Sequence, residues 1–247
     1  MITAVILAGG MGTRLRSAVP ELPKPMAPIQ GRPFLEYQMN YWISQGVSRF
    51  VLSVGYKKEV IINHFRSSYR TIPLEYVIEE EPLGTGGGLL LAAEGLTEPF
   101  IVLNGDTYFE VNLDQLRGFH SHNLSELTLS VLPNQDDNRY MKLDVGVDKK
   151  IKLLDSRIGK IHCLANGGVY MMNPSVLNRT KFRSGDKLSL ETDLIPALIV
   201  QGAALYGFES CGGFIDIGVP DDYFRATKMK MFSNMTVEFI DAHRTTR

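Results

Sequence analysis

The segment Ala4-Val5-Ile6-Leu7-Ala8-Gly9-Gly10-Met11-Gly12-Thr13-Arg14-Leu15 decides the architecture. Ala4–Leu7 is a short apolar run without polar alternation, as expected of a strand buried on both faces of a parallel sheet. It runs straight into glycines, which let backbone N–H groups approach an anion closely because no Cβ intervenes. Outward from this segment a β–α rhythm follows. Pro33 opens a stretch whose Leu35, Met39, Trp42 and Ile43 share a helical face, and Gly46 is its stop. Phe50–Val54 reads as the second strand, and Val60, Ile61, His64 and Phe65 repeat at helical spacing. Leu74–Ile78 and Phe100–Leu103 read as further strands, with a helix over Thr85–Glu94 between them. The rhythm predicts an α/β fold, Rossmann-like, with a mostly parallel sheet and helices on both faces. Ligands of such sheets sit beyond the carboxyl ends of the strands, which directs attention to the loops after Leu7, Ile78 and Leu103.

Beyond Leu127 the rhythm changes. Leu127–Leu132, Gly168–Met172 and Leu205–Phe208 read as strands with longer, less helical connections, so the second half is expected to complete the sheet and add a partly antiparallel flap. From Asp221 the chain is helical, with Tyr223, Phe224, Thr227 and Met231 on one face, and Arg244–Arg247 read as a frayed end. Trp42 and the methionines are expected in the core, and His120 and His122 as exposed helix-end residues.

Bulk properties narrow the class. A chain of 247 residues suits one domain over 1–247. With 44% hydrophobic and 21% charged residues it has the balance of a globular protein. A net charge of −1 gives no global field for nucleic acid or an acidic membrane, so an anionic ligand needs a local site. Cys163 and Cys211 form no CxxC pair, which argues against a zinc site or a disulfide framework. The N-terminus lacks a basic n-region, and no apolar run approaches spanning length. These features predict a cytoplasmic protein with no membrane or nucleic-acid partner, as a monomer or small homo-oligomer.

The glycine loop is followed by Pro23-Lys24-Pro25. Arg14 can fork onto phosphate oxygens, Lys24 supplies a point charge, and the flanking prolines restrict the backbone around it. A dinucleotide fingerprint needs a third glycine where Leu15 stands, and a Walker A loop needs an absent Gly-Lys-Ser/Thr. Asp106 closes the strand ending Leu103-Asn104-Gly105, where a carboxylate can bind a divalent cation; an Asx turn is the plainer alternative. Asp216 lies in the apolar run Phe214-Ile215-Asp216-Ile217-Gly218, where a metal, or a cap or turn role, would satisfy its charge. In Glu79-Glu80-Glu81-Pro82-Leu83-Gly84-Thr85 one acid could accept from N1–H and the 2-amino group of guanine, or from N3–H of uracil or thymine. Which glutamate points inward stays open, as does a plain solvated acidic loop.

Leu7–Leu15 with Pro23-Lys24-Pro25 resembles the signature of the sugar-1-phosphate nucleotidyltransferases, L-A-G-G-x-G-T-R-L followed by P-K-P. The resemblance runs from Leu7 to about Tyr223 and implies the nucleotide-diphospho-sugar transferase fold. It implies an enzyme that joins an NTP to a sugar 1-phosphate with release of pyrophosphate and a requirement for Mg²⁺. Catalytic roles then fall to Arg14 and Lys24. Nucleotide contacts fall to Leu7, Ala8, Gly9, Gly10, Gly12, Thr13, Glu79, Gly84, Thr85, Asn104 and Gly105, and metal binding to Asp106 and Asp216. Asn166-Gly167-Gly168-Val169-Tyr170 and Leu190-Glu191-Thr192-Asp193 match sugar-binding segments, which implicates Asn166, Gly167 and Glu191. The family's F-x-E-K-P segment is absent. Leu154-Asp155-Ser156-Arg157 stands there, with Arg157 in place of the lysine.

Within the family, Leu22–Ile29, Gly31–Tyr37 and Phe214–Pro220 look most like the guanylyltransferases that activate D-glycero-α-D-manno-heptose 1-phosphate to GDP-heptose. Alternatives are a uridylyltransferase for N-acetylmuramic acid 1-phosphate or a hexose 1-phosphate, and a catalytically silent nucleotide-sugar sensor. The presence of Arg14, Lys24, Asp106 and Asp216 argues against the sensor.

Overall fold

The computed structural model describes residues 1–133, 142–152 and 163–233. The chain begins with β1 (Thr3–Ala8), α1 (Phe34–Ser44), β2 (Arg49–Val54), α2 (Lys58–Phe65), β3 (Ile72–Ile78), α3 (Gly84–Ala92) and β4 (Phe100–Asn104). It continues with β5 (Thr107–Phe109), α4 (Leu113–His122), β6 (Leu127–Pro133), β7 (Lys142–Val145) and β8 (Cys163–Met172). After β8 come α5 (Ile195–Val200), β9 (Leu205–Glu209), β10 (Phe214–Asp216) and α6 (Pro220–Ala226).

Strands β4, β1, β2 and β3 lie side by side in parallel, with Leu7 opposite Asn104, Ala8 opposite Val54 and Val54 opposite Ile78. Their carboxyl ends therefore share one edge of the sheet. β1 sits between two neighbours, and its alternate side chains serve two cores. Ala4, Ile6 and Ala8 join Leu35, Met39 and Trp42 of α1 and Ile61 and Phe65 of α2. Val5 faces the other way, toward Leu89 and Leu90 of α3 and Ile195 and Leu198 of α5.

The first half of the sheet is parallel, and the second half adds antiparallel strands, as expected of that half. β8 joins β4 antiparallel, and β6 and β7 pair antiparallel with β8, while β9 runs parallel to β6. Antiparallel neighbours need no helical crossover, so β6 and β7 can both pair with β8. The register of β8 against β6 shifts between Asn166 and Tyr170, and Gly168 there has φ +70°. This bulge lets β8 leave β7 and continue along β4.

Most elements lie where the sequence places them. α1 starts after Pro33 and is followed by Gly46 at φ +96°. It buries a second side as well, because Phe34 and Tyr37 pack with Tyr108, Ile215, Ile217 and Phe232 in a third core. Phe232, unremarked in the sequence, is fully buried against the rings of Phe34, Tyr37 and Tyr108. Phe224 is exposed on α6, and Met1 and Met11 are exposed against the expectation that the methionines lie in the core. His120 also departs from expectation. It is buried, with Nδ1 2.9 Å from Thr128 Oγ1 and Nε2 3.1 Å from Asn173 Oδ1, because the end of α4 docks on β6 and polar partners meet both ring nitrogens. Burial holds its pKa below the ordinary value. Arg244–Arg247 lie outside the described residues. Among the described residues no helix is long and apolar enough to cross a membrane.

Candidate active site

A cavity of about 950 Å³ opens at the carboxyl ends of the parallel strands. Its floor is the glycine loop. Gly9 follows β1 with no room for a Cβ, which would overlap the carboxylate of Glu79. Gly12 turns the chain with φ +59°, and a Cβ there would lie 3.3 Å from Lys24 Cβ. The loop thus packs against the lysine segment, and Lys24 Nζ reaches Asp106 Oδ2 at 2.7 Å. Arg14 also lines the cavity, from the short helical turn Thr13–Leu15.

Asp106 lies in the turn between β4 and β5. β10 pairs antiparallel with β5, placing Asp216 opposite Thr107, and Ile217 N donates to Asp106 O at 2.9 Å. The two carboxylates therefore come from neighbouring segments and line the same cavity. Asp216 Oδ1 also accepts from Gly218 N at 2.6 Å, so the turn role coexists with its place in the site. No cluster of three or more His, Cys, Asp or Glu suited to a metal occurs among the described residues. Mg²⁺ does not need one, since it is commonly held by one or two carboxylates plus substrate phosphates. The ammonium already seated on Asp106 indicates that this carboxylate suits a cation. The hard oxygen donors of Asp106 and Asp216 fit the ion.

The acidic triplet sorts itself by burial. Glu79 is buried, while Glu80 and Glu81 are exposed and Glu80 pairs with Lys58. Glu79 Oε1 accepts from Ser53 Oγ at 2.7 Å, and Oε2 from Leu83 N at 3.2 Å. Glycines make the space for it: besides Gly9, a Cβ on Gly88 would lie 2.8 Å from Glu79 Oε1 and 2.9 Å from Ser53 Oγ.

A further part of the lining centres on Glu191, in a π-helical turn (Leu190–Leu194) capped by Ser189. Its Oε1 accepts from Asn104 Nδ2 at 3.3 Å and Tyr170 OH at 3.2 Å. Its Oε2 accepts from Thr85 Oγ1 at 2.8 Å and Ser189 Oγ at 3.1 Å. Asn166 Nδ2 donates to Tyr170 OH at 2.7 Å, linking the bulge of β8 to the same network. Burial and then the Glu191 charge push the Tyr170 phenol well above its ordinary range, so it stays a donor.

Leu7, Ala8, Gly9, Gly10, Gly12, Arg14, Lys24, Glu79, Gly84, Thr85, Asn104, Gly105, Asp106, Asn166, Glu191 and Asp216 thus meet around one cavity. Thr13 is not among its lining residues, nor is Gly167, where a Cβ would meet the Phe109 ring on the side away from Asn104. Arg157 lies outside the described residues. Sequence reasoning missed Lys187, Ser189 and Thr192, which flank Glu191 in the lining. The signal available was proximity: Lys187 stands four residues before a glutamate already singled out.

Residues 3–231 match the family model described as nucleotidyl transferase. D-glycero-alpha-D-manno-heptose 1-phosphate guanylyltransferase of Aneurinibacillus thermoaerophilus is 40% identical over 226 residues, covering 91% of this chain and 96% of the relative. The protein of the same name from Campylobacter jejuni is 37% identical over 221 residues, covering 90% and 96%. Among solved structures, HddC from Yersinia pseudotuberculosis, complexed with GMP-PN, superposes with a TM-score of 0.79 at 35% identity, covering 92% of this chain and 99% of that one. The glycine loop, the lysine segment and the two carboxylates therefore sit in a chain that belongs to the nucleotidyl transferase family, as a sugar-1-phosphate nucleotidyltransferase.

Proposed function

We propose that the chain transfers a guanylyl group from GTP to D-glycero-α-D-manno-heptose 1-phosphate, forming GDP-heptose and pyrophosphate. The observation that carries this reading is the cavity that Arg14, Lys24, Asp106 and Asp216 line together with buried Glu79 and with Glu191. The heptose and guanine assignments draw support from the relatives named above.

The sugar phosphate oxygen attacks the α-phosphorus of GTP, forming a new P–O bond as the bond to the bridging oxygen of pyrophosphate breaks. A phosphate monoester is already anionic at neutral pH, so no side-chain nucleophile is required. The difficulty is repulsion between two polyanions. Glycine-loop N–H groups and Arg14 hold the triphosphate, and Lys24 approaches the reacting phosphates. Asp106 and Asp216 hold Mg²⁺, which supplies charge neutralisation at the phosphates. Glu79 accepts from N1–H and the 2-amino group of guanine. Asn166 and Glu191, which line the cavity, meet the sugar, while Gly167, outside the lining, shapes the bulge beside them. The donors to the Glu191 carboxylate named above all belong to the protein, so a sugar hydroxyl bound there exchanges with one of them. The chain acts as one domain, as a monomer or small homo-oligomer, in the cytoplasm.

The test is stereochemical. GTP made chiral at the α-phosphorus with sulfur should give GDP-heptose of inverted configuration. Retention would require a covalent nucleotidyl-enzyme and would exclude direct displacement.

A further inference from the structure

The turn that carries Asp106 is held at successive backbone groups. Gly105 N donates to Leu7 O at 3.0 Å, and a Cβ on Gly105 would come within 2.6 Å of that oxygen, so the turn lies tightly on β1. Asp106 O accepts from Ile217 N at 2.9 Å. The carbonyls on either side, Asn104 O and Thr107 O, both accept from one amide group. Gln38 Nε2 lies 2.8 Å from the first and 2.6 Å from the second. Among the described contacts to these four backbone groups, Gln38 alone acts through a side chain.

Gln38 is a costly residue for packing alone. It lies on α1 at helical spacing from Leu35 and Trp42, within a face otherwise apolar, and is 1% exposed. Its Oε1 is buried with no protein partner among the described residues. A methionine of the same length would fill the space without burying that oxygen. What the amide provides is a double donor to the two carbonyls that bracket Asp106.

We infer that Gln38 is a positioning residue: its amide fixes the Asn104–Thr107 turn so that the Asp106 carboxylate is preset for the divalent cation. The inference rests on the proposed role of Asp106 in holding Mg²⁺. Loss of a side chain that orients a metal ligand typically costs roughly 10–100-fold in metal affinity or activity.

The test is Mn²⁺ binding to the enzyme–GTP complex without sugar, read by water proton relaxation, in wild type, Gln38→Met and Gln38→Glu. Asn40→Ala serves as a control on the same helix, since Asn40 is buried and bonds Tyr69 OH instead of the turn. All are measured well below their own melting midpoints. Both Gln38 variants should bind Mn²⁺ roughly 10–100-fold more weakly. KM for the sugar phosphate should stay within about threefold while kcat falls, because the change acts through the Asp106 turn. Asn40→Ala should lose thermal stability without losing Mn²⁺ affinity. Wild-type Mn²⁺ affinity in folded Gln38→Met, or an equal loss in Asn40→Ala, would overturn the inference. Asp106→Asn separates the two levels: if it too binds Mn²⁺ normally, the assignment of the metal to Asp106 has failed.

Discussion

Gly88→Ala sets two rules of protein stability against each other. Gly88 lies inside α3, where replacing glycine by alanine ordinarily gains up to about 1 kcal/mol of helix propensity. Here the new methyl would lie 2.8 Å from Glu79 Oε1 and 2.9 Å from Ser53 Oγ, both in fully or nearly fully buried residues. The methyl breaks the Ser53–Glu79 hydrogen bond, 2.7 Å long, and also overpacks α3 against the strands beneath it. A hydrogen bond to a charged group contributes about 1.5–3 kcal/mol. Overpacking adds roughly 1–3 kcal/mol. Set against the propensity gain, the net loss is about 2–5 kcal/mol, or a fall in Tm of about 5–15 °C for a chain this size. Calorimetry measures it. Gly118→Ala is the paired control, because Gly118 lies in α4 with nothing within 4 Å of the added Cβ. It should raise Tm by about 1–4 °C. GTP affinity should fall in Gly88→Ala alone, since only that change moves Glu79. A Gly88→Ala protein as stable as Gly118→Ala, with unchanged GTP affinity, would refute the account of the Glu79 cradle.

Asp106→Asn and Asp216→Asn should each lower turnover by about 10²–10³-fold with unchanged circular dichroism, and near-normal turnover in either would remove that residue from the site. Glu79→Gln should weaken GTP roughly 10–100-fold while affecting UTP less, measured by competition binding; equal losses would assign Glu79 to the loop instead of the base. His120 has a folded pKa below its ordinary value of 6.5, so the unfolded chain takes up the proton first. Its contribution to stability is present above pH 6.5 and is lost as pH falls toward the folded pKa, and His120→Gln should flatten that part of the denaturant midpoint against pH.

The parallel half of the fold was legible because strands buried on both faces are apolar throughout and end in glycine, as Ala4–Gly10 does. The antiparallel half was less legible. The partner switch of β8 depends on a bulge at Gly168, and the left-handed φ of one glycine does not announce which strands lie on either side. Much the same division holds at the cavity. Signature residues such as Lys24 and Asp106 were visible as motifs, but their mutual contact spans 82 residues of sequence. The choice of Glu79 over its neighbours needed burial and the surrounding glycines. Gln38 was hidden because a polar residue on an apolar helical face carries no label until the carbonyls beneath it are placed. His120 misled because helix-end position suggests exposure, whereas α4 docks that end on β6.

The identity of the two substrates is tested by a matrix of nucleotides against sugar phosphates. GTP, UTP, ATP, CTP and dTTP are each combined with Mg²⁺ and, in turn, with D-glycero-α-D-manno-heptose 1-phosphate, mannose 1-phosphate, glucose 1-phosphate and N-acetylmuramic acid 1-phosphate, and pyrophosphate release is followed. The account expects the highest kcat/KM for GTP with the heptose 1-phosphate, and no release without a sugar phosphate. A higher kcat/KM for UTP with the muramic acid or a hexose phosphate, or no release in any combination, would contradict it.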